Sequence, residues 1–288
     1  MLPEQLLDEY YLEDNFEVVD FKHKKDPNTC YVFFSSNGLY KDRNDVDIIK
    51  RMHETCRYEW KFIAENKRIR KKASRIIFLR DIYKIFYIRG ISKQNNSIDK
   101  IVKLLKNLTK GMDVTLAGSS AGAYMALLVG NMLPNTKKIL ALGGIVDLES
   151  FRSFSGYLDC NLKYCDYIDI RNYIFGDYWI VNFYGKPNNY DSHNGKLIDA
   201  YANHEKLINV GFDIDIHAPR PSGEDLIKLL ACNNKHLYRL KKYFTDKENI
   251  KQISFSTHNI GFLKTYFNVF RSFLVKFKKR HNNDEKAD

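Results

Sequence analysis

The sequence predicts an α/β fold: a mostly parallel sheet with helices on both faces and a helical extension at the C-terminus. Two observations carry the prediction. Short β-branched and aromatic runs of strand length recur along the chain, and helical patterns lie between many of them. Strands that alternate with helices make a parallel sheet buried on both sides. The strand-like runs are Cys30–Ser35, Arg75–Leu79, Asp113–Ala117, Lys138–Leu142, Trp179–Tyr184 and Leu207–Phe212. Between the second and third, Ser97–Leu108 repeats apolar residues at Ile98, Ile101, Leu104, Leu105 and Leu108, one face of a helix. Ala121–Leu133 is small and apolar, suited to a buried helix. In such sheets ligands bind beyond the carboxyl ends of the strands, so chemistry is sought in the residues just after each strand.

The chain has 288 residues, 44 % of them hydrophobic and 28 % charged, ordinary for a soluble globular protein. Six prolines and the lack of a Pro/Gly/Ser-rich linker favour a single domain over residues 1–275, with a basic and then polar tail over 276–288 that reads as disordered. Met1-Leu2-Pro3-Glu4 does not open a signal peptide, and no apolar run reaches membrane-spanning length. The expectation is a cytoplasmic protein with reduced cysteines. Cys160 and Cys165 lack the further Cys or His pair of a zinc site, and Cys30, Cys56 and Cys232 are scattered, so no metal is expected. The formal charge is +11. Its basic clusters, Lys67–Lys72 and Lys276–Arg280, sit in no nucleic-acid-binding motif. From Ile260 to Phe277, Phe, Leu and Val are interspersed with Lys and Arg. This segment reads either as a terminal helix packed on the domain or as a basic amphipathic helix for an anionic membrane surface.

Gly118-Ser119-Ser120-Ala121-Gly122 follows the strand Val114–Ala117 and leads into the helix at Ala123. Strand, sharp turn and helix with a serine at the apex make a nucleophile elbow. The flanking glycines are needed because side chains there would strike the neighbouring strand and helix. The helix N-terminus would point free N–H groups at a developing oxyanion, with Ala121 as one donor. Such a run arises by chance in roughly one chain in twenty of this length, and the strand before and helix after single this one out.

A serine nucleophile needs a base, and the base an orienting acid, in the order Ser, Asp, His with each after its own strand. Asp191 is the acid candidate, in the loop after Trp179–Tyr184. Asp177 precedes that strand and would lie at the wrong end of the sheet. Two histidines compete as base. His217 follows Leu207–Phe212 with room for one helix and one strand after Asp191, and is favoured; His258 would need an extra helical segment. His193 and His204 read as surface residues. A second oxyanion donor is expected from the loop Ser35–Tyr40, at Asn37 or Gly38. Arg80-Asp81, also at a strand end, reads either as a substrate-binding pair or as a structural ion pair.

These residues also carry a resemblance. Tyr31–Gly38, Arg57-Tyr58-Glu59-Trp60, Arg80–Lys84 with Phe86–Ile91, and the Gly118–Gly122 elbow resemble α/β-hydrolase-fold proteins encoded in bacterial capsule and exopolysaccharide clusters. The likeness spans roughly residues 28–275. Some relatives are polysaccharide O-acetyltransferases that use a Ser-Asp-His triad. The resemblance supports Asp191 and His217, though relatives commonly carry Gly where this chain has Ala218, and it implies a structural role for the His258 segment. It implies acetyl transfer from acetyl-CoA to a sugar hydroxyl through an acyl-Ser120 intermediate. Capsule assembly takes place at the inner face of the cytoplasmic membrane, so the membrane-surface reading of Ile260–Phe277 fits the resemblance without being shown by it. Esterase activity by the same residues, and a non-catalytic accessory role in polysaccharide assembly, stand as alternatives. No cofactor is expected to stay bound, and oligomeric state is not legible.

Overall fold

Six buried runs pair side by side into one sheet, joined at one edge by a seventh strand. The computed structural model describes residues 3–22, 28–39, 46–55, 57–152, 162, 165–244 and 250–269. The strands are β1 (Phe16–Asp20), β2 (Thr29–Phe34), β3 (Arg75–Leu79), β4 (Asp113–Ser119), β5 (Thr136–Leu142), β6 (Trp179–Gly185) and β7 (Leu207–Phe212), in the order β1-β3-β2-β4-β5-β6-β7. β1 runs antiparallel to β3, and every other neighbouring pair is parallel. The six parallel strands match the runs expected from sequence, as do the helices Ile98–Leu108 and Ala121–Met132. Ser97 caps the first of these, its hydroxyl accepting from the Lys100 N–H.

Burial on both faces explains the near-continuous apolar strands. Along β2, Cys30, Val32 and Phe34 enter one core while Tyr31 and Phe33 enter the other. β3 divides the same way, with Ile77 and Leu79 opposite Ile76 and Phe78. The first core is closed by Ile98–Leu108 and by Ala121–Met132, whose residues 121–130 are all buried. The second is closed by the helices Gly223–Ala231, Asn234–Phe244 and Gln252–Ile260.

The strand order places the site. From β2 the chain steps outward to β3, then crosses back over β2 to β4 and proceeds to β7 in the other direction. The sheet therefore reverses its winding between β2 and β4, and a crevice opens beyond their carboxyl ends. The antiparallel edge strand, this order and the strand–turn–helix at β4 make an α/β-hydrolase-like sheet.

β1 is absent from the sequence expectation. It is an edge strand whose residues are half-buried or exposed, so no sustained alternation announces it. Arg75 Nε bonds Asp20 at 2.6 Å and Lys61 bonds Glu17 at 2.7 Å, pinning it in place. Cys30, Cys165 and Cys232 are free thiols, while Cys56, Cys160 and the tail over 276–288 lie outside the described residues.

Candidate active site

Ser120 stands at the end of β4 as the N-cap of Ala121–Met132, with φ 52° and ψ −118°. A non-glycine residue held there stores about 1–3 kcal/mol of backbone strain, which the surroundings must over-determine. They do so tightly. The Ser120 N–H donates to Leu142 O at 2.8 Å, and Ser120 O accepts from the Ala123 and Tyr124 N–H groups. A Cβ at Gly118 would lie 2.0 Å from Gly122 O, and one at Gly122 would lie 2.3 Å from Phe34 O. No side chain fits at either position, so strand, turn and helix pack backbone to backbone. As the first helical residue, Ala121 has no intrahelical acceptor for its N–H.

His217 lies after β7 and meets Ser120. Its Nε2 stands 2.8 Å from Ser120 Oγ, and its Nδ1 stands 2.5 Å from Asp191 Oδ1. With the ring proton on Nδ1 toward the carboxylate, Nε2 is free to accept the serine proton. Asp191 does not lie in a loop. Asn188 caps the helix Asn189–Tyr201 through the Asp191 N–H, so the helix begins earlier than expected and Asp191 falls in its first turn. The second carboxylate oxygen of Asp191 accepts from the Gly185 and Ala218 N–H groups, each at 3.0 Å. The Asp191 side chain is 1 % exposed against 35 % for His217, so the acid is sealed and the base opens toward the crevice. Ala218 has φ 51°, a conformation that favours glycine, and its N–H is one of the two that hold Asp191.

His258 is elsewhere. It lies within Gln252–Ile260, its Nδ1 donating to Ser254 O at 2.9 Å and its ring stacked on Tyr243 at 3.4 Å. One ring face is stacked, Phe244 makes an edge contact and one nitrogen is hydrogen-bonded within its own helix, away from Ser120, which removes it as the base. His193 is half exposed beside Asp147, His204 is exposed, and Asp177 pairs with Lys206 at the amino end of β6.

The loop after β2 begins packed against the elbow, with Ser35 O 3.1 Å from where a Cβ at Gly122 would stand. Ser35 and Ser36 are buried, and Asn37–Leu39 forms a 3₁₀ turn. Asn37 Nδ2 donates to Lys84 O at 3.0 Å. A Cβ at Gly38 would come no closer than 3.5 Å to Ser36 Oγ, so the protein itself does not demand glycine there. The Ser36 N–H donates to Glu59 Oε2 at 2.6 Å, and the other oxygen of Glu59 takes Arg220, just past His217. Glu59 thus bridges the two loops that flank Ser120. Neither Glu59 nor Arg220 is evident as a site residue from sequence. The only signal is that Glu59 belongs to the Arg57–Trp60 run.

Arg80 and Asp81 are corrected from the substrate-binding reading: both are buried, and their polar atoms are spent on the chain itself. Arg80 donates to Asn15 Oδ1 and Arg57 O and lies over the Tyr58 ring. The Asp81 carboxylate accepts from the N–H groups of Tyr83, Ile85 and Tyr87. It thereby holds a loop in which Lys84, Phe86 and Tyr87 all have positive φ. Burial pushes the Asp81 carboxyl up to about 6 although these donors oppose the rise. Tyr87 Oη in turn donates to Ser35 O at 2.8 Å, so the pair supports the loop after β2 from below. Among the described residues no group of three His, Cys, Asp or Glu side chains converges to hold a metal ion, and no helix is long and apolar enough to cross a membrane.

No protein-family model matches the sequence, and no curated protein matches it. Solved structures with similar folds include a Staphylococcus aureus protein of unknown function, 11 % identical over 75 % of this chain and 94 % of that one, with a TM-score of 0.46. The α/β hydrolase MGS-M2 from a deep-sea metagenome is 11 % identical over 82 % of this chain and 95 % of its own, at a TM-score of 0.41. Est1E of Butyrivibrio proteoclasticus, solved with ferulic acid, is 12 % identical over 77 % and 96 %, also at 0.41. Likenesses this distant carry no argument about chemistry; the α/β-hydrolase-like fold stands on the strand order and the elbow of the chain itself.

Proposed function

We propose that the protein is a serine-dependent acyl enzyme. The observation that carries the reading is the hydrogen-bonded chain Ser120–His217–Asp191 at a strained elbow. Ser120 Oγ attacks the carbonyl carbon of an ester or thioester while His217 Nε2 takes its proton. Asp191 keeps the ring oriented and offsets the imidazolium charge. The Ala121 N–H, with a donor from the Asn37–Gly38 turn, holds the oxyanion. His217 returns the proton to the leaving group, leaving an acyl-Ser120. An acceptor hydroxyl, its proton taken by His217, then attacks the acyl carbon and frees the serine.

The finer reading is that the acyl group is acetyl, the donor acetyl-CoA and the acceptor a sugar hydroxyl of a bacterial surface polysaccharide. Its support is the sequence resemblance. Water as acceptor would make the same machinery an esterase. A fluorophosphonate probe tests the coarser claim: wild type and His258→Ala label, whereas Ser120→Ala does not and His217→Ala labels at least about 100-fold more slowly. Equal labelling of wild type and Ser120→Ala, or none of either, would overturn it. Incubation with acetyl-CoA and polysaccharide then scores O-acetyl gain against free acetate; acetate alone would refute transfer to sugar.

A further inference from the structure

We infer that the C-terminal helix and the basic face at its root form a docking surface for an anionic lipid bilayer. The inference is independent of the chemistry at Ser120. Gly261, at φ +96°, ends Gln252–Ile260 and starts a further helix over 262–269. That helix is turned inside out. Thr265 is buried and Lys264 reaches back to Glu224 at 2.7 Å, while Phe262, Leu263 and Phe267 stand 60 %, 85 % and 64 % exposed. Tyr266 and Val269 are exposed as well. A helix that stabilised the domain in water would bury its apolar stripe and expose its polar one. This one presents a contiguous apolar stripe to solvent, the mark of a surface that meets something else.

The sequence and the neighbouring surface say what that is. Apolar residues continue at the same helical spacing through Phe270, Phe273, Leu274 and Phe277, in the stretch beyond the described residues. Arg271, Lys276, Lys278, Lys279 and Arg280 are interleaved with them or follow directly. At the root of the helix lies a groove of about 540 Å³ lined by Arg68, Lys71, Lys72, Lys228 and Lys264, with Asn259 and Ile260. Glu224 is shared between Arg68 and Lys264, leaving the groove cationic. Lys71 and Lys72 of the Lys67–Lys72 cluster therefore line the same groove as Ile260 and Lys264, at the foot of the apolar stripe, although they are far from it in sequence. A second copy of the chain docked here would bring two cationic faces together, which like-charge repulsion opposes. A nucleic acid would use the cations and the aromatic rings but not Leu263 and Val269. An anionic bilayer takes both parts: the apolar side chains enter the acyl boundary and the cations meet the headgroups.

The test is flotation of the full-length protein with phosphatidylcholine vesicles, with and without about 30 mol % phosphatidylglycerol. The protein is expected to float with the anionic vesicles and to remain behind with the neutral ones. Leu263→Glu/Phe267→Glu and Lys71→Glu/Lys228→Glu should each lower the bound fraction about tenfold, as should about 0.5 M salt. All four positions lie away from the Ser120 cluster, so unchanged fluorophosphonate labelling reports that the variants are folded. Failure to float with anionic vesicles would overturn the inference. So would flotation that Leu263→Glu/Phe267→Glu leaves intact. A wild-type dimer in sedimentation that the same double variant dissociates would reassign the face to self-association.

Discussion

Replacing Asp191 by Asn should silence Ser120 while leaving the fold almost untouched, and the surroundings of Asp191 dictate why. Oδ2 accepts two backbone N–H groups, from Gly185 and Ala218, and Oδ1 faces His217 Nδ1. An asparagine carries one oxygen and one NH₂ in their place. Turning the NH₂ toward Gly185 and Ala218 would set donors against two buried donors, at about 1–3 kcal/mol for each left unsatisfied. The oxygen must therefore stay with the backbone, and the NH₂ must face His217. That forces His217 Nδ1 to accept, moves the ring proton to Nε2, and leaves no lone pair there for the Ser120 proton. Loss of the correct tautomer in a Ser-His-Asp triad costs roughly 10⁴-fold in rate, about 5.5 kcal/mol. The assay is the second-order rate of fluorophosphonate labelling at pH 7.5, with urea unfolding of the same samples. The expected result is a rate lower by about 10³–10⁴-fold and a stability within about 1 kcal/mol of wild type. Labelling within tenfold of wild type in a folded Asp191→Asn protein would refute the assignment of Asp191 as the group that sets the histidine tautomer.

Two further outcomes concern the scaffold. Gly118→Ala would drive a Cβ to 2.0 Å from Gly122 O, a backbone clash no rotamer relieves, so it should cost more than about 3 kcal/mol or abolish soluble expression; a variant with wild-type unfolding midpoint and labelling rate would contradict the close packing of the elbow. For Asp81, burial lifts the carboxyl from 3.8 to about 6, so the folded chain binds that proton more tightly than the unfolded one. The stabilisation is complete below about pH 4 and is lost as the pH rises through about 6, a change of about 3 kcal/mol for roughly two units. Measured by urea unfolding, the stability difference between wild type and Asp81→Asn should move by up to that amount between pH 4 and 7, in favour of wild type at the acid end. A difference flat across that range would sink the explanation.

How much of this was legible in advance divides by the range of the physics involved. Burial on both faces writes itself into consecutive apolar residues, so β2 to β7 are visible in the sequence, whereas the half-buried β1 is not. The elbow is legible because its steric demands fall on residues within two positions of Ser120. The start of Asn189–Tyr201 is misplaced by several residues because Asn188, the first of two consecutive cap-capable asparagines after Pro187, supplies the cap. Arg80 and Asp81 mislead for a different reason. A charged pair at a strand's carboxyl end is where ligand chemistry is sought, but burial is a tertiary property, and both turn inward to hold the chain. His258 sits in Gln252–Ile260, whose β-branched and aromatic residues do not announce a helix. The bridge from Glu59 to Arg220 joins residues far apart in the chain, and no local pattern encodes it.

That bridge also explains why the fragments Tyr31–Gly38, Arg57–Trp60 and Arg80–Ile91 go together in one chain. All three converge on the loop after β2. Trp60 Nε1 donates to Phe34 O, Glu59 accepts from the Ser36 N–H, Tyr87 Oη donates to Ser35 O, and Asn37 reaches Lys84 O. Asp81 holds the Tyr83–Tyr87 turn that delivers two of these contacts, and Arg80 braces Arg57 and Tyr58 beneath a third. A loop that only connected β2 to the next helix would not require four anchors from two other segments. A loop that must present N–H groups to a developing oxyanion would, because preorganised donors lower a barrier only if they need not reorganise as charge appears. The anchoring on the β2 side and the Asp191 clamp on the β7 side meet through Glu59 and Arg220. The strained backbones of Ser120 and Ala218 are thus held between two braced loops.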